Sequence, residues 1–277
     1  MSITTFIPTI WSARLLIHLD NALRARNFYN RDYEGEITDQ GSTVRINQIG
    51  NISVFPYERN TDMVAPDELQ TVAQDLVIDQ AVAFNFQIDN IDRVQARAEL
   101  MDTAMARSAY ALAEKEDAYL FKLLADNAPT GNKVTATIGS ADELYELLVH
   151  LRTIMAKNNV PSLGRMLALP PEALALLLKD ARFVGTGGTF AEDTLRAGFV
   201  GRAAGFDIFE VNTTPNNNTI IAGHSIASTF ASQIVQTEAY RMEKRFADGL
   251  KGLSVYGAKV LMPEATAVAE ITIDLAA

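Results

Sequence analysis

Residues 75–117 read DLVIDQAVAFNFQIDNIDRVQARAELMDTAMARSAYALAEKED, and within this stretch the spacing of apolar side chains changes from two residues to between three and four. Val82, Phe84, Phe86 and Ile88 alternate with Ala83, Asn85, Gln87 and Asp89, as in a strand with one face against a core. From residue 91 to 127 the stripe is helical: Val94, Ala98, Met101, Met105, Ala109, Leu112, Tyr119, Leu120, Leu123 and Leu124, with no Gly or Pro among them. At about 1.5 Å per residue such a helix would be on the order of 50 Å long, more than a compact core needs. It reads as a strut, stopped by Asn127 and the Pro129–Gly131 turn.

Upstream of the strut, Val44 and Ile46 alternate with polar neighbours and read as the first of two strands bounding residues 41–89. Between those strands lie residues 50–70, with Pro56 and Pro66, too irregular for a core element and too long for a tight hairpin turn. A long projecting loop is expected there. Further upstream, Ile10, Leu15, Leu16, Leu19 and Leu23 predict an amphipathic helix over residues 9–27, with Trp11 its largest anchor.

Downstream, the pattern is mixed. Ser140 with Glu143 forms a capping box before Leu144, Leu147, Leu148 and Leu151, and Pro171 suits a first helical position before Leu174, Leu177 and Leu178. Residues 165–169, 206–211 and 219–222 read as short strands, and 226–234 as a helix. The chain returns to strands at 253–256, 259–262 and 266–274, which need a partner sheet near the long helix. The overall fold class is α+β.

Composition narrows the function. The 277 residues are 48% hydrophobic, enough for a substantial core, and 34 acidic against 24 basic residues give a net charge of -10. That balance argues against a protein that neutralises nucleic-acid phosphates. Cysteine is absent, so disulfides, thiolate metal sites and cysteine nucleophiles are excluded. No apolar run approaches the roughly 18 residues of a membrane span, and MSITTFIPTIW lacks the basic start of a signal peptide.

No catalytic constellation emerges. His18, His150 and His224 are too dispersed for a local zinc pattern. Residues 183–189, FVGTGGT, lack the lysine and spacing of a phosphate cradle and read as a surface loop. Asp89, Asp92, Glu99, Glu114, Glu116 and Asp117 read as a solvated face or as inter-subunit ion pairs. Neither G-x-S-x-G nor H-E-x-x-H occurs, so no enzyme, metal or cofactor is expected; an oligomeric enzyme assembled only by folding is the contrasting class.

The order of parts resembles the Hong Kong 97 fold of tailed double-stranded DNA phage major capsid proteins. The resembling stretches are FIPTIWSARLLIHLDNALRARNFYNRDYEGEITDQGSTVRINQIG, residues 75–117 quoted above, and RFADGLKGLSVYGAKVLMPEATA. The resemblance implies an N-terminal arm and helix at 1–40, an extended loop at 41–90, and a peripheral domain with its spine helix at 91–133. It further implies an axial domain at 134–240 and C-terminal strands of the peripheral domain at 241–277. The implied function is a self-assembling icosahedral shell around phage DNA, with copies in pentamers and hexamers. Portal and separate scaffold or decoration proteins are implied partners, and DNA is touched weakly, without sequence specificity. Assembly in the bacterial host cytoplasm and residence in the virion capsid follow, without a membrane. An encapsulin-type bacterial nanocompartment shell is the alternative within the same fold. Because the arm-like sequence begins at Phe6-Ile7-Pro8, the particle is expected to keep the extreme N-terminal residues, any scaffold being encoded separately.

The resemblance also raises the question of how the shell is locked. The type member of the fold joins subunits by an isopeptide bond between a loop lysine and a peripheral-domain asparagine. Here the first lysine is Lys115 and the last asparagine is Asn218, so both halves of that weld are missing from the matching positions. Arginine is no substitute, since its guanidinium stays protonated. Inter-subunit contact then falls to Trp11 and Phe55 through burial and to Arg45, Arg59, Asp62 and Glu68 through ion pairs, each worth about 0–1 kcal/mol when exposed. Boiled, denatured particles run on a gel are expected to give one band at the 30.3 kDa monomer. A ladder of covalent oligomers would contradict this.

Overall fold

A computed structural model describes residues 24–32, 43–49, 56, 59, 71–89, 99–180, 199–241 and 247–274. Its longest helix, α1, runs over Glu99–Asn127, 29 residues or about 43 Å, and residues 91–98 of the expected helix lie outside the described residues. Buried positions recur along it at Met105, Ala109, Leu112, Ala113, Glu116, Asp117, Leu120, Phe121 and Leu124, while Tyr110, Glu114, Lys122 and Asp126 face outward. One helix therefore serves two cores. Met105, Ala109, Leu112 and Ala113 pack with Leu250, Val82, Phe84 and Phe86, whereas Leu120, Phe121 and Leu124 pack with Phe28, Ile221, Phe230 and Tyr256.

The first core rests on a three-stranded antiparallel sheet in the order β3 (Gln80–Asp89), β10 (Ala247–Val260), β9 (Ser228–Arg241). The expected alternation at Val82–Ile88 is realised in β3. Three expectations change here. Residues 226–234 form not a helix but a short 3-10 turn, Ser225–Ala227, running into β9, because the edge of the 14-residue β10 offers this β-prone stretch a full ladder. Residues 253–256 and 259–262 are not two strands: Gly257 sits within the single strand β10, and Leu261 and Met262 lie just beyond its end. A Cβ at Gly257 would come within 2.3 Å of the Val77 carbonyl oxygen, so glycine serves close backbone approach there.

The third change is an added strand. Residues 43–49 (β1) pair with Thr71–Val77 (β2), which the sequence pattern does not mark as a strand, in a ladder from Thr43↔Val77 to Ile49↔Thr71. The resulting ribbon seats Val44, Ile46, Leu76 and Ile78 on Ala231 and Val255 of the three-stranded sheet.

The second sheet has six strands in the order β4 (Lys133–Ile138), β11 (Ala267–Ile273), β8 (Thr219–His224), β5 (Arg165–Leu169), β7 (Phe206–Glu210), β6 (Phe199–Ala203). Helices α2 (Ala141–Lys157) and α3 (Pro171–Leu177) cover one face, where Leu144, Leu148, Leu151 and Leu177 meet Leu167, Leu169, Ile208, Ile220 and Ile271. The intervening residues Ala168 and Ile221 turn to the other face and join the α1 cluster. Ser140 caps α2, accepting the Glu143 N–H at 3.3 Å, while the Glu143 carboxylate accepts the Gly139 N–H at 2.7 Å, and Pro171 opens α3. Ala204 and Gly205, both at positive φ, turn β6 into β7. Sheet membership cuts across the expected boundary at 240/241: β9 joins β3 and β10, and β11, expected with the peripheral strands, completes the six-stranded sheet.

Leu112 is 3% exposed between β3 and β10. Leu112→Asp is expected to destabilise the subunit by several kcal/mol through an unpaired buried charge, read as a lowered Tm or loss of soluble protein. An unchanged Tm would contradict this register of α1.

Candidate functional site

Where the two cores of α1 meet, its stripe carries two acids, Glu116 at 0% and Asp117 at 4% exposure. The sequence reading of these acids as a solvated face is overturned. Their partners come from residues 24–30, which enter as a short 3-10 turn, Ala25–Phe28. The Asp117 carboxylate accepts the N–H groups of Arg24, at 3.0 and 3.2 Å, and of Ala25, at 3.0 Å. Burial pushes the Asp117 carboxyl up from 3.8 to about 6; the two N–H donors and the Arg24 and Arg26 charges offset only part of that.

Glu116 accepts the Ser254 hydroxyl at 3.0 Å and lies 3.9 Å from the buried Arg26 guanidinium. Arg26 donates to the Ser232 hydroxyl at 2.9 Å and stands 5.6 Å over the Phe230 ring. An ion pair taken out of water gains little net energy but becomes costly to break, so it fixes where the segment lies. Apolar contact completes the seat. Phe28 meets Phe121 and Phe209 edge-on, Tyr29 meets Phe230, and the Tyr29 hydroxyl donates to the Leu120 carbonyl at 2.7 Å. Beyond Tyr29 the chain zips onto β9: Asn30 N–H donates to the Ser228 carbonyl and Phe230 N–H to the Asn30 carbonyl, both at 2.9 Å. Burial also pushes the Tyr29 hydroxyl well above its ordinary range, and Tyr256, near Glu116 and Tyr119, up to about 12.

Of the contact candidates, Trp11, Phe55, Asp62 and Glu68 lie outside the described residues, as do His18 and residues 183–189. Arg45 is exposed on β1 and pairs within its own ribbon with Asp75, its cross-strand partner, at 3.4 Å; Arg59 is exposed. His150 is exposed, whereas His224 is a structural residue: its Nδ1 accepts the Ile226 N–H at 3.1 Å and its Nε2 meets the Leu163 carbonyl at 2.9 Å. Among the described residues no group of three His, Cys, Asp or Glu side chains is placed to hold a metal. A groove of about 660 Å³ between α1, β4 and β11 carries Lys122, Lys133, Asp126 and Glu270, a lining of mixed charge. The geometry at the junction of the two cores is that of anchorage. The seat was missed because acids were read by type; their spacing gave the signal, since Glu116 and Asp117 follow Leu112 and Ala113 by four residues and precede Leu120 and Phe121 by four.

Residues 73–271 match the model of a family described as phage capsid protein. No curated protein matches the chain. Among solved structures it is similar to one from Mycobacterium phage Che8, at 29% identity and a TM-score of 0.71, covering 89% of this chain and 90% of that one. It shares its fold with the capsid structure of the cyanophage P-SCSP1u, at 15% identity and a TM-score of 0.67, over 86% of this chain and 85% of that chain. The fold is also that of a virus-like particle from Pyrococcus furiosus, at 14% identity and a TM-score of 0.56, over 93% of this chain and 96% of the other.

The ribbon's base depends on the bare Cα of Gly257. Gly257→Ala is expected to leave the α2 and α3 core folded, with circular dichroism unchanged, while displacing β2 and impairing particle formation measured by sedimentation. Normal particles from this variant would contradict the close approach.

Proposed function

The chain belongs to the phage capsid protein family and is a head-shell subunit, and from that premise we propose how it does its work. Many copies assemble into a closed icosahedral shell around phage double-stranded DNA, in pentamers and hexamers, through contacts that repeat around each ring. The observation that carries this reading is the family match, which begins inside β2 and ends inside β11 and so takes in both sheets and α1. The fold has the Hong Kong 97 architecture expected from the order of parts.

The finer reading is structural and non-catalytic, without a cofactor. The proposed contacts with neighbouring copies fall to the segment before Arg24 and to the segment between β1 and β2; the described chain next to them is fastened at the Asp117 seat and at the Ile49↔Thr71 rung. Burial at Trp11 and Phe55 and ion pairs at Arg59, Asp62 and Glu68 would lock the shell without covalent bonds, many weak contacts adding up by repetition. Portal and separate scaffold or decoration proteins are further partners, DNA is met weakly by a chain of net charge -10, and assembly takes place in the host cytoplasm. The nanocompartment alternative has less support, because the family match is to phage capsids and the likeness to the Pyrococcus furiosus particle is one of fold. Electron microscopy separates them: a DNA-filled head with a portal vertex supports the proposal, and a shell loaded with an enzyme overturns it.

The paired ends Ile49 and Thr71 also make residues 50–70 removable. Replacing 50–70 by an Asn-Gly turn, which suits a two-residue hairpin, is expected to give a folded subunit with unchanged helix content that fails to form particles. Circular dichroism and sedimentation check this, and normal particles would refute it.

A further inference from the structure

We propose that the seat of residues 24–30 on α1 is a proton-linked latch, in which Asp117 takes up a proton as the segment seats and gives it up as the segment leaves. The geometry allows both states. The Arg24 N–H is shared between Oδ2 of Asp117 at 3.0 Å and Oδ1 at 3.2 Å, and the Ala25 N–H reaches Oδ1 at 3.0 Å, so a proton on Oδ2 gives up one of the two Arg24 contacts while Oδ1 still accepts both N–H groups. Neutralisation therefore leaves each backbone donor an acceptor. Release has the opposite preference, since a carboxyl that is 4% exposed when seated would face water, where the ionised form is favoured.

The sign follows from the direction of the change. Burial raises the seated Asp117 carboxyl from 3.8 to about 6. Below the lower value it is protonated whether seated or released, and the seat has its full stability. Between the two values the released carboxyl ionises while the seated one keeps its proton, so the seating equilibrium falls by about a hundredfold as pH rises from about 4 to about 6 and levels off above, where the seated form too must hold a charge. The latch is tighter in acid than at neutrality, and with it the hold on the chain upstream of Arg24.

The other charged and titratable groups around the seat do not supply this response. Arg24 and Arg26, on the segment itself, are the cations that face Asp117. Tyr29, Tyr119 on α1 and Tyr256 on β10 titrate well above it, burial being the leading cause in each. Asp79, between β2 and β3, is exposed and bonds Tyr119, not the segment. Glu116 is a second buried acid at the seat, held by Ser254 and beside Arg26, and needs its own control.

The test is native-state hydrogen exchange of the full-length chain from about pH 4 to 8, corrected for intrinsic exchange. It is read at the amides of Arg24, Ala25, Phe28 and Tyr29 relative to those of Leu148 and Leu151 in the α2 core. Relative protection of the segment is expected to fall about a hundredfold between about pH 4 and 6.5 and then level off. Asp117→Asn, whose amide oxygen still accepts the two N–H groups, is expected to remove the pH dependence, and Glu116→Gln to keep it. A flat wild-type profile, the same fall in Asp117→Asn, or its loss in Glu116→Gln alone would overturn the proposal. If Asp117→Asn does not fold, the wild-type Asp117 carboxyl followed by 13C NMR decides: a midpoint near 6 supports the latch, and one near 4 overturns it.

Discussion

A carboxylate removed from water must find donors, and at Glu116 and Asp117 the helix's own backbone has none to give. The donors arrive from 92 and 93 residues upstream, through the N–H groups of Ala25 and Arg24, and from β10 through Ser254. This demand pulls the N-terminal segment across the junction of the two cores, where Phe28 and Tyr29 fill the space between α1, β7 and β9. Leucine at both positions would bury more easily, but it would specify no partner and leave the segment's backbone donors unmatched. The acids trade stability for a defined path of the chain.

Much of the scaffold was legible because its signals are local. The period-two run at Val82–Ile88, the long stripe of α1, the Ser140–Glu143 cap and the first-turn Pro171 each depend on neighbours within a few residues. What was lost depends on distant pairing. Residues 228–234, STFASQI, carry apolar side chains compatible with either period, and only the edge of β10 makes them a strand. Thr71–Val77 carries no local strand mark because its partner, β1, lies more than twenty residues upstream in the chain. The terminal strand β11 has no local mark that sends it to β4 and β8 in place of β10. The acids of the seat were the one nonlocal feature with a readable trace, since their spacing placed them on the buried face.

The three-stranded sheet solves a related problem with glycine. A Cβ at Gly249 would strike the Tyr240 ring and one at Gly252 the Phe84 ring, so both rings lie across β10 where a side chain would stand. Tyr240 then reaches over the central strand to Asn85 of β3, its hydroxyl donating at 2.9 Å. These aromatic covers restore the contact surface that glycine gives up, as in other strands where rings rescue glycines. Gly257 differs, since what approaches it is the backbone of the β1–β2 ribbon. The same strand thus uses glycine twice to accept side chains and once to accept a chain.

Strand β9 joins the two fastened elements. Phe230 faces the seat of residues 24–30, and its successor Ala231 faces the ribbon's base with Val44, Ile46, Leu76 and Ile78. Adjacent residues of a strand point to opposite faces, so the two seats share one backbone without sharing a side chain. A shift of β9 that relieves one contact therefore changes the other, because close-packed cores transmit displacement instead of absorbing it. Weak surface pairs such as Arg45–Asp75 cannot resist such a shift, being worth about 0–1 kcal/mol. The buried anchors, Arg26 on Phe230 and Glu116 on Ser254, hold β9 and β10 in register beneath both elements. Burying charged groups at this common footing makes departure from its geometry costly.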